Sequence, residues 1–376
     1  MKILTGIDVP FQPFGGSLVF CDNFYSSLPE GVEVRFLTLR PPTAEKWWSI
    51  KDVVFLDIEK TRDPAKYPEY VAKLTELVQD QIDEFQPDVI HSQHLNYGLS
   101  RAFVDADTTA PRLGLCHGTD VQAASTSDVF RQNLAHICDR LDEIAFPNQI
   151  MAGDALAIHP TSTPYSICPY GIPDRFFEPN PKHFTGSKIL NVLYAGRLLA
   201  WKGPDIAVAA MAHTKENIHL TVIGNEDQAG YLRTMHEIVS RNNLSDRVTF
   251  LPQLPRGELL EAFTNYDVMV LPSRRLEAFS LTAVEAQAKG LPVIYSAEGG
   301  GLTSTVGDGG IPVNPNTPQA LAGVLDAVTA NPNRLAAVRQ RGFANAEKYR
   351  LSASRNRLLE LSEELIARGA KTLPRS

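Results

Sequence analysis

The stretch EAFSLTAVEAQAKGLP, residues 277–292, carries two acids, Glu277 and Glu285, eight positions apart around an apolar run. Gly290 and Pro292 end that run just before the β-rich triplet VIY, so it reads as a loop, a helix and a buried strand. Eight helical residues rise roughly 12 Å, about the span of a sugar joined through a diphosphate to a ribose. A helix starting near Ser280, Leu281 and Thr282 offers free backbone N–H groups and a positive dipole end to anionic phosphates. An amphipathic helix with one exposed acid fits the spacing equally well.

A second stretch, GRLLAWKG at 196–203, follows the β-rich run KILNVLYAG. Arg197 and Lys202 are cations at neutral pH, and a glycine at each end lets the loop fold tightly around a diphosphate. The order of residues is wrong for a P-loop, where Gly-Lys follows the glycines.

Together the two stretches resemble the E-x-F-G-x-x-x-x-E and G-R-x-x-x-x-K-G signatures of the retaining GT-B glycosyltransferases of family 4, the glycosyl transferases group 1. The resemblance is strongest over residues 189–311. It implies an α/β fold of two Rossmann-like doubly wound domains facing a cleft, with a nucleotide diphosphate sugar, UDP-linked, held by the second domain. In that scheme Arg197 and Lys202 stabilise the leaving diphosphate, Glu277 contacts sugar hydroxyls and Glu285 accepts from the ribose hydroxyls. Ser280, Leu281 and Thr282 face the phosphates, and the loop 252–255 seats the base through its backbone. No carboxylate nucleophile stands out, so a front-face displacement is expected, with the diphosphate deprotonating the acceptor. This chain departs from the pattern at Ser280, where the family has glycine, and at Thr303 and Ser304 in GGGLTSTVGDGGIPV, where it has Pro and Glu. A third departure is Tyr170 in CPYGIP, where asparagine is usual.

A length of 376 residues suits two domains of roughly 150–200 residues. The expected division is 1–177 for an acceptor domain and 187–350 for a donor domain, hinged at 178–186. A last helix, from about 351 to 376, packs back on the first domain. Residues 1–175 hold 14 Lys/Arg against 24 Asp/Glu, and the remainder holds 22 against 19. An anionic donor therefore suits the second half, and nucleic acid is disfavoured as a partner. No signal peptide or membrane-spanning run is seen, which gives a cytoplasmic expectation. Cys21, Cys116, Cys138 and Cys168 show no metal-binding spacing and read as reduced core residues.

In the first half, PFQPFGGS at 10–17 places Gly15 and Gly16 between the first strand and helix. Both a plain turn and a cleft-lining loop fit, and the resemblance favours the second, with Gly16 at the donor. Trp47 and Trp48 lie in an irregular segment and either overhang an acceptor pocket or pack on the domain. PDVIHSQH at 87–94 ends a strand with His91 and His94, and HGTD at 117–120 follows the strand RLGLC. The resemblance makes His117 a contact of the donor sugar. Asp120 either orients its loop or meets the acceptor, and His94 is a further acceptor candidate. The DAD triplet at 105–107 matches a metal signature of another glycosyltransferase fold but sits in a loop after a helix. Neither a metal nor a cofactor is expected beyond the sugar nucleotide. The acidic balance suggests a small soluble acceptor, neutral or cationic, such as an aminocyclitol. A nucleotide-sugar epimerase and a catalytically silent partner protein are the competing readings, and the oligomeric state is open.

Overall fold

In a computed structural model, the alternating apolar runs form two parallel sheets, each with its own core. The structure describes residues 1–11, 15–41, 46–61, 63–177, 189–215, 217–225, 229–274 and 277–372, the last three without their side chains. The expected hinge at 178–186 lies outside these residues.

The N-terminal unit spans Met1–Gly171 and takes back Leu351–Ser376. Its strands are β1 (Lys2–Pro10), β2 (Glu33–Leu39), β3 (Val53–Leu56), β4 (Val89–Gln93), β5 (Arg112–Leu115), β6 (Glu143–Phe146) and β7 (Tyr165–Ile167), in the order β3-β2-β1-β4-β5-β6-β7. All pairings are parallel. Between the strands run α1 (Gly16–Tyr25), α2 (Tyr67–Phe85), α3 (Gly98–Asp105), α4 (Thr119–Thr126), α5 (Asp128–Cys138) and α6 (Gln149–Ile158). Helix α2 buries Tyr70, Leu74, Val78, Ile82 and Phe85, a spacing of three or four that makes one apolar stripe. That stripe packs with Leu4, Leu37, Ile90 and Phe103. β4 is buried along its whole length, as a central parallel strand must be.

The second unit, Ile172–Arg350, holds β8 (Leu190–Ala195), β9 (Ile218–Ile223), β10 (Val248–Leu251), β11 (Val268–Leu271), β12 (Val293–Ser296) and β13 (Gly310–Val313), ordered β10-β9-β8-β11-β12-β13 and parallel. Its helices are α7 (Pro204–Ala210), α8 (Tyr231–Arg241), α9 (Arg256–Ala262), α10 (Leu281–Ala288), α11 (Gly301–Val306), α12 (Pro318–Ala330) and α13 (Pro332–Ala346). The division falls at 171/172 and not at 177, because Ile172, Phe176 and Phe177 join the core formed by Leu193, Met269 and Val293. The last helix, α14 (Leu351–Thr372), belongs to the first unit, where Ser362 hydroxyl meets His91.

Both sheets reverse their winding beside a central strand, at β1/β4 and at β8/β11. Open α/β sheets bind ligands outside the carboxyl ends of the strands at that reversal. The loop 196–203 leaves β8 and the loop carrying Glu277 leaves β11, so the quoted motifs of the second unit emerge at its reversal point. All four cysteines are buried free thiols. Among the described residues no helix is long and apolar enough to cross a membrane.

Candidate functional site

In the second unit, Gly203 closes the basic loop. Its φ is +70°, and a Cβ there would come within 2.1 Å of the Pro272 carbonyl oxygen. Only glycine permits that approach, which lays the loop from β8 against the loop from β11. Lys202 Nζ consequently donates to Glu277 Oε1, joining residues 75 positions apart. Ser273 Oγ donates to the other carboxylate oxygen of Glu277 at 3.2 Å. Glu277 is only 5% exposed, so its charge is held by a cation and a hydroxyl inside the fold. Lys202 Nζ also lies 4.7 Å from the centroid of the Trp201 ring. Arg197 is exposed in the same loop, with its carbonyl accepting from Tyr194 hydroxyl at 3.0 Å.

Helix α10 covers Leu281–Ala288, so Glu277 lies before the helix and Glu285 on it. The helix thus starts where the loop–helix–strand reading placed it, near Ser280, Leu281 and Thr282, and the eight residues from Glu277 to Glu285 are only partly helical. Glu277 is set by an extended bridge to Gly300, with Gly301 N–H donating to Glu277 carbonyl oxygen at 2.7 Å. Ser280 is the N-cap of α10: its hydroxyl accepts from Ala283 N–H at 3.3 Å. The serine that departs from the family glycine thus has a structural account. Leu281 and Thr282 form the partly buried first turn, and Glu285 is 1% exposed.

Glu285 forms an ion pair with Arg256, the first residue of α9, directly after the 252–255 loop. Burial lowers the Arg256 pKa to about 10, with Arg175 adding to the effect. Its guanidinium lies 5.9 Å from the Phe176 ring centroid. No motif or spacing marked Arg256 as this partner. The nearest clue is an arginine beside the loop expected to seat the base.

In the first unit, Gly16 opens α1 after Gly15 at φ +101°, the left-handed side that favours glycine. Residues 12–14 of that loop lie outside the described residues. Trp47 and Trp48 pack against Phe11 at 4.9 and 5.3 Å between ring centroids, and Trp47 Nε1 donates to Phe11 carbonyl oxygen at 2.9 Å. Of their two readings, packing on the domain is the one observed. Asp105 of the DAD triplet is held by Arg101 and His136, both at 2.6 Å. No group of three or more His, Cys, Asp or Glu among the described residues is placed to hold a metal ion.

His117 is enclosed by rings: His94 at 4.4 Å, Tyr170 at 5.3 Å and Phe20 at 5.8 Å between centroids. Its Nε2 lies 2.8 Å from Gln93 Oε1 and its Nδ1 2.9 Å from Tyr170 hydroxyl. Burial lowers its pKa to about 3, so the ring is neutral at pH 7. His94 has φ +68° and stacks on Tyr97 at 4.2 Å. Its Nδ1 meets Thr119 hydroxyl at 3.3 Å, whereas its buried Nε2 has no hydrogen-bond partner. Asp120 is fully buried, and its carboxylate accepts from the N–H groups of Leu95 at 2.8 Å, Val121 at 3.1 Å and His117 at 3.3 Å. Those bonds orient the loop, and they leave a direct acceptor contact by Asp120 without geometric support.

Two parallel doubly wound units, the second with a lysine–glutamate pair at its winding reversal, define the GT-B class of α/β proteins. Residues 178–344 match the family model described as glycosyl transferases group 1. Over 184 residues the chain is 33% identical to a D-inositol 3-phosphate glycosyltransferase of Xylanimonas cellulosilytica, covering 45% of this chain and 44% of that protein. The chain thus spans less than half of that relative. A D-inositol 3-phosphate glycosyltransferase 1 of Catenulispora acidiphila is 26% identical over 367 residues, 91% of this chain and 83% of that one. Among solved structures, sucrose-phosphate synthase from Thermosynechococcus elongatus superposes with a TM-score of 0.82 at 22% identity, covering 98% and 99% of the two chains. Anabaena HepE in complex with UDP and glucose gives 0.81 at 17%, covering 97% and 100%. At such identities these structures establish the fold alone.

Proposed function

We propose that the chain transfers a sugar, with retention of anomeric configuration, from a UDP-linked donor to a hydroxyl of a small soluble cyclitol-type acceptor. The observation that carries this reading is the Lys202–Glu277 pair at the β8/β11 reversal, where a cation and a carboxylate stand together behind two tight loops. Lys202 and Arg197 stabilise the charge that grows on the departing diphosphate, the main electrostatic contribution to such a step. Glu277 accepts from sugar hydroxyls, and Glu285 from those of the ribose. The first turn of α10 supplies backbone N–H groups to the phosphates. His117 holds the sugar, as the resemblance implies. The acceptor proton passes to the departing diphosphate as the C–O bond to the acceptor forms on the same face. No metal or other cofactor takes part, and the reaction belongs to the cytoplasm.

The UDP-linked donor is supported by the likeness to HepE, whose structure holds UDP and glucose. Relatives named for D-inositol 3-phosphate support a cyclitol-type acceptor, and the acidic first half of this chain favours an uncharged or cationic one over a phosphorylated one. Incubation with UDP-glucose and a panel of myo-inositol, D-inositol 3-phosphate and an aminocyclitol tests both. UDP release that depends on one of these acceptors, with an α-linked product by NMR and no loss of rate in EDTA, is expected. Donor isomerised without acceptor, or no turnover of any UDP-sugar, overturns the reading.

A further inference from the structure

A chain of hydrogen bonds runs through the N-terminal unit to His117, and its direction can be worked out atom by atom. It starts on α14, where Ser362 hydroxyl donates to Leu358 carbonyl oxygen at 2.8 Å. With its proton so committed, Ser362 oxygen accepts from His91 Nε2–H at 2.8 Å. Burial keeps His91 neutral at pH 7, its pKa lowered to about 3, so Nδ1 is bare and accepts from Tyr25 hydroxyl at 2.9 Å. Thr5 hydroxyl likewise donates to His91 carbonyl oxygen at 2.7 Å. Both hydroxyl oxygens are then acceptors only, and both face the amide of Gln93, Tyr25 at 2.7 Å and Thr5 at 3.0 Å. The Gln93 NH2 group must point at them, which turns Gln93 Oε1 toward His117. An amide oxygen only accepts, so His117 Nε2 carries the ring proton and Nδ1 is bare.

Tyr170 hydroxyl closes the far side. It lies 2.9 Å from Nδ1 and, in closer contact, donates to Cys116 carbonyl oxygen, so with Nδ1 bare its single proton must turn from Cys116 to Nδ1 for both ring nitrogens to be hydrogen-bonded. We propose that Gln93 and Tyr170 are positioning residues: Gln93 fixes His117 as its Nε2–H tautomer, and Tyr170, its hydroxyl turned to the bare Nδ1, holds the ring plane for the sugar. The consequence for catalysis rests on the transfer reading above; the tautomer does not.

The assignment makes an asymmetric prediction. With Tyr170→Phe, Gln93 still accepts from Nε2–H, so the tautomer stays and only the ring loses a brace. With Gln93→Leu, Nε2–H has no acceptor, and Tyr170 can donate to Cys116 carbonyl oxygen while accepting from the ring. The proton then moves to Nδ1. Selective 15N-histidine labelling with two-bond proton–nitrogen correlation reads the tautomer directly, and the His117 signals are identified by their loss in His117→Gln. The expected results are a protonated Nε2 in the unmodified protein and in Tyr170→Phe, and a protonated Nδ1 in Gln93→Leu. Tyr170→Phe is also expected to lower kcat about tenfold or more, with the donor KM within about twofold, because a loosened group misaligns in the transition state. A protonated Nδ1 in the unmodified protein overturns the proposal, even should Gln93→Leu fail to fold. A protein with the Nε2–H tautomer that turns over no sugar nucleotide leaves the clamp standing and removes the transfer reading. Unchanged kcat in Tyr170→Phe removes the positioning role.

Discussion

Lys202 Nζ donates to Glu277 Oε1, so the basic loop after β8 and the acidic loop after β11 hold each other's charged residue. The pair serves two ends: it neutralises a carboxylate that is 5% exposed, and it poises a cation at the sheet's reversal point. Lys202→Ala is expected to lower kcat for sugar transfer by about 100- to 1000-fold, the size of losing one preorganised donor to a developing oxyanion. Single-turnover measurement of UDP release checks this. A rate within threefold of the parent would remove Lys202 from the chemical step.

Arg256 and Glu285 make a separate case, because the ion pair lies where the ribose is proposed to bind. Glu285→Gln keeps the shape and removes the charge, and it is expected to weaken UDP binding by about tenfold, roughly 1.4 kcal/mol, measured by calorimetry. Arg256→Met strands a carboxylate that is 1% exposed and is expected to cost the second unit about 3 kcal/mol in denaturant unfolding. The double variant is expected to recover most of that loss, since it leaves no unpaired charge. Equal stability of Arg256→Met and the parent would show that the pair contributes nothing.

Ser280 tests whether a departure from the family pattern is functional or structural. Its hydroxyl caps α10 through Ala283 N–H. Ser280→Ala is expected to destabilise by about 1 kcal/mol, and Ser280→Gly, which restores the family residue, by only a few tenths. Both are read as shifts in chemical unfolding midpoint, with UDP affinity unchanged within twofold. A tenfold loss of UDP affinity in Ser280→Gly would make the hydroxyl a ligand contact.

His91 gives the N-terminal unit a predictable response to acid. Burial lowers its folded pKa to about 3, below the unfolded value of about 6.5. Between those values the unfolded chain binds the proton and the folded chain does not. The stability tied to His91 is therefore fully present above pH 6.5 and is lost as pH falls toward 3. The expected slope is about 1.4 kcal/mol per pH unit for this one group. Urea unfolding followed by Trp47 and Trp48 fluorescence in a Trp201→Phe background measures it. His91→Gln is expected to flatten the slope by one proton, and an unaltered slope would mean that His91 is protonated in the fold.

How much of this was legible beforehand depended on how local the signal was. The strand before the basic loop, now β8, and the glycine-flanked loop 196–203 are written in neighbouring residues, and each formed where its pattern placed it. The helix start near Ser280 was legible too, but the roughly 12 Å rise between Glu277 and Glu285 holds only for eight helical residues, and the first of them lie in the loop before Ser280 caps the helix. Of the two readings of Asp120, orienting its loop is the one that its hydrogen bonds describe. A buried carboxylate engages the nearest N–H groups, and which ones those are depends on the turn at 117–120.

The sequence by itself determined the alternation of strand and helix, the two cation-and-acid motifs and the excess of acid in the first half. Only the tertiary structure decided who partners whom: Arg256 with Glu285, Lys202 with Glu277, and Gln93 and Tyr170 on the two nitrogens of His117. The physical reason is that secondary structure follows from the period of apolar residues along a few turns. Charge pairing and hydrogen-bond direction depend on which strand ends the parallel sheet brings side by side, and residues 75 positions apart carry no record of that in their spacing.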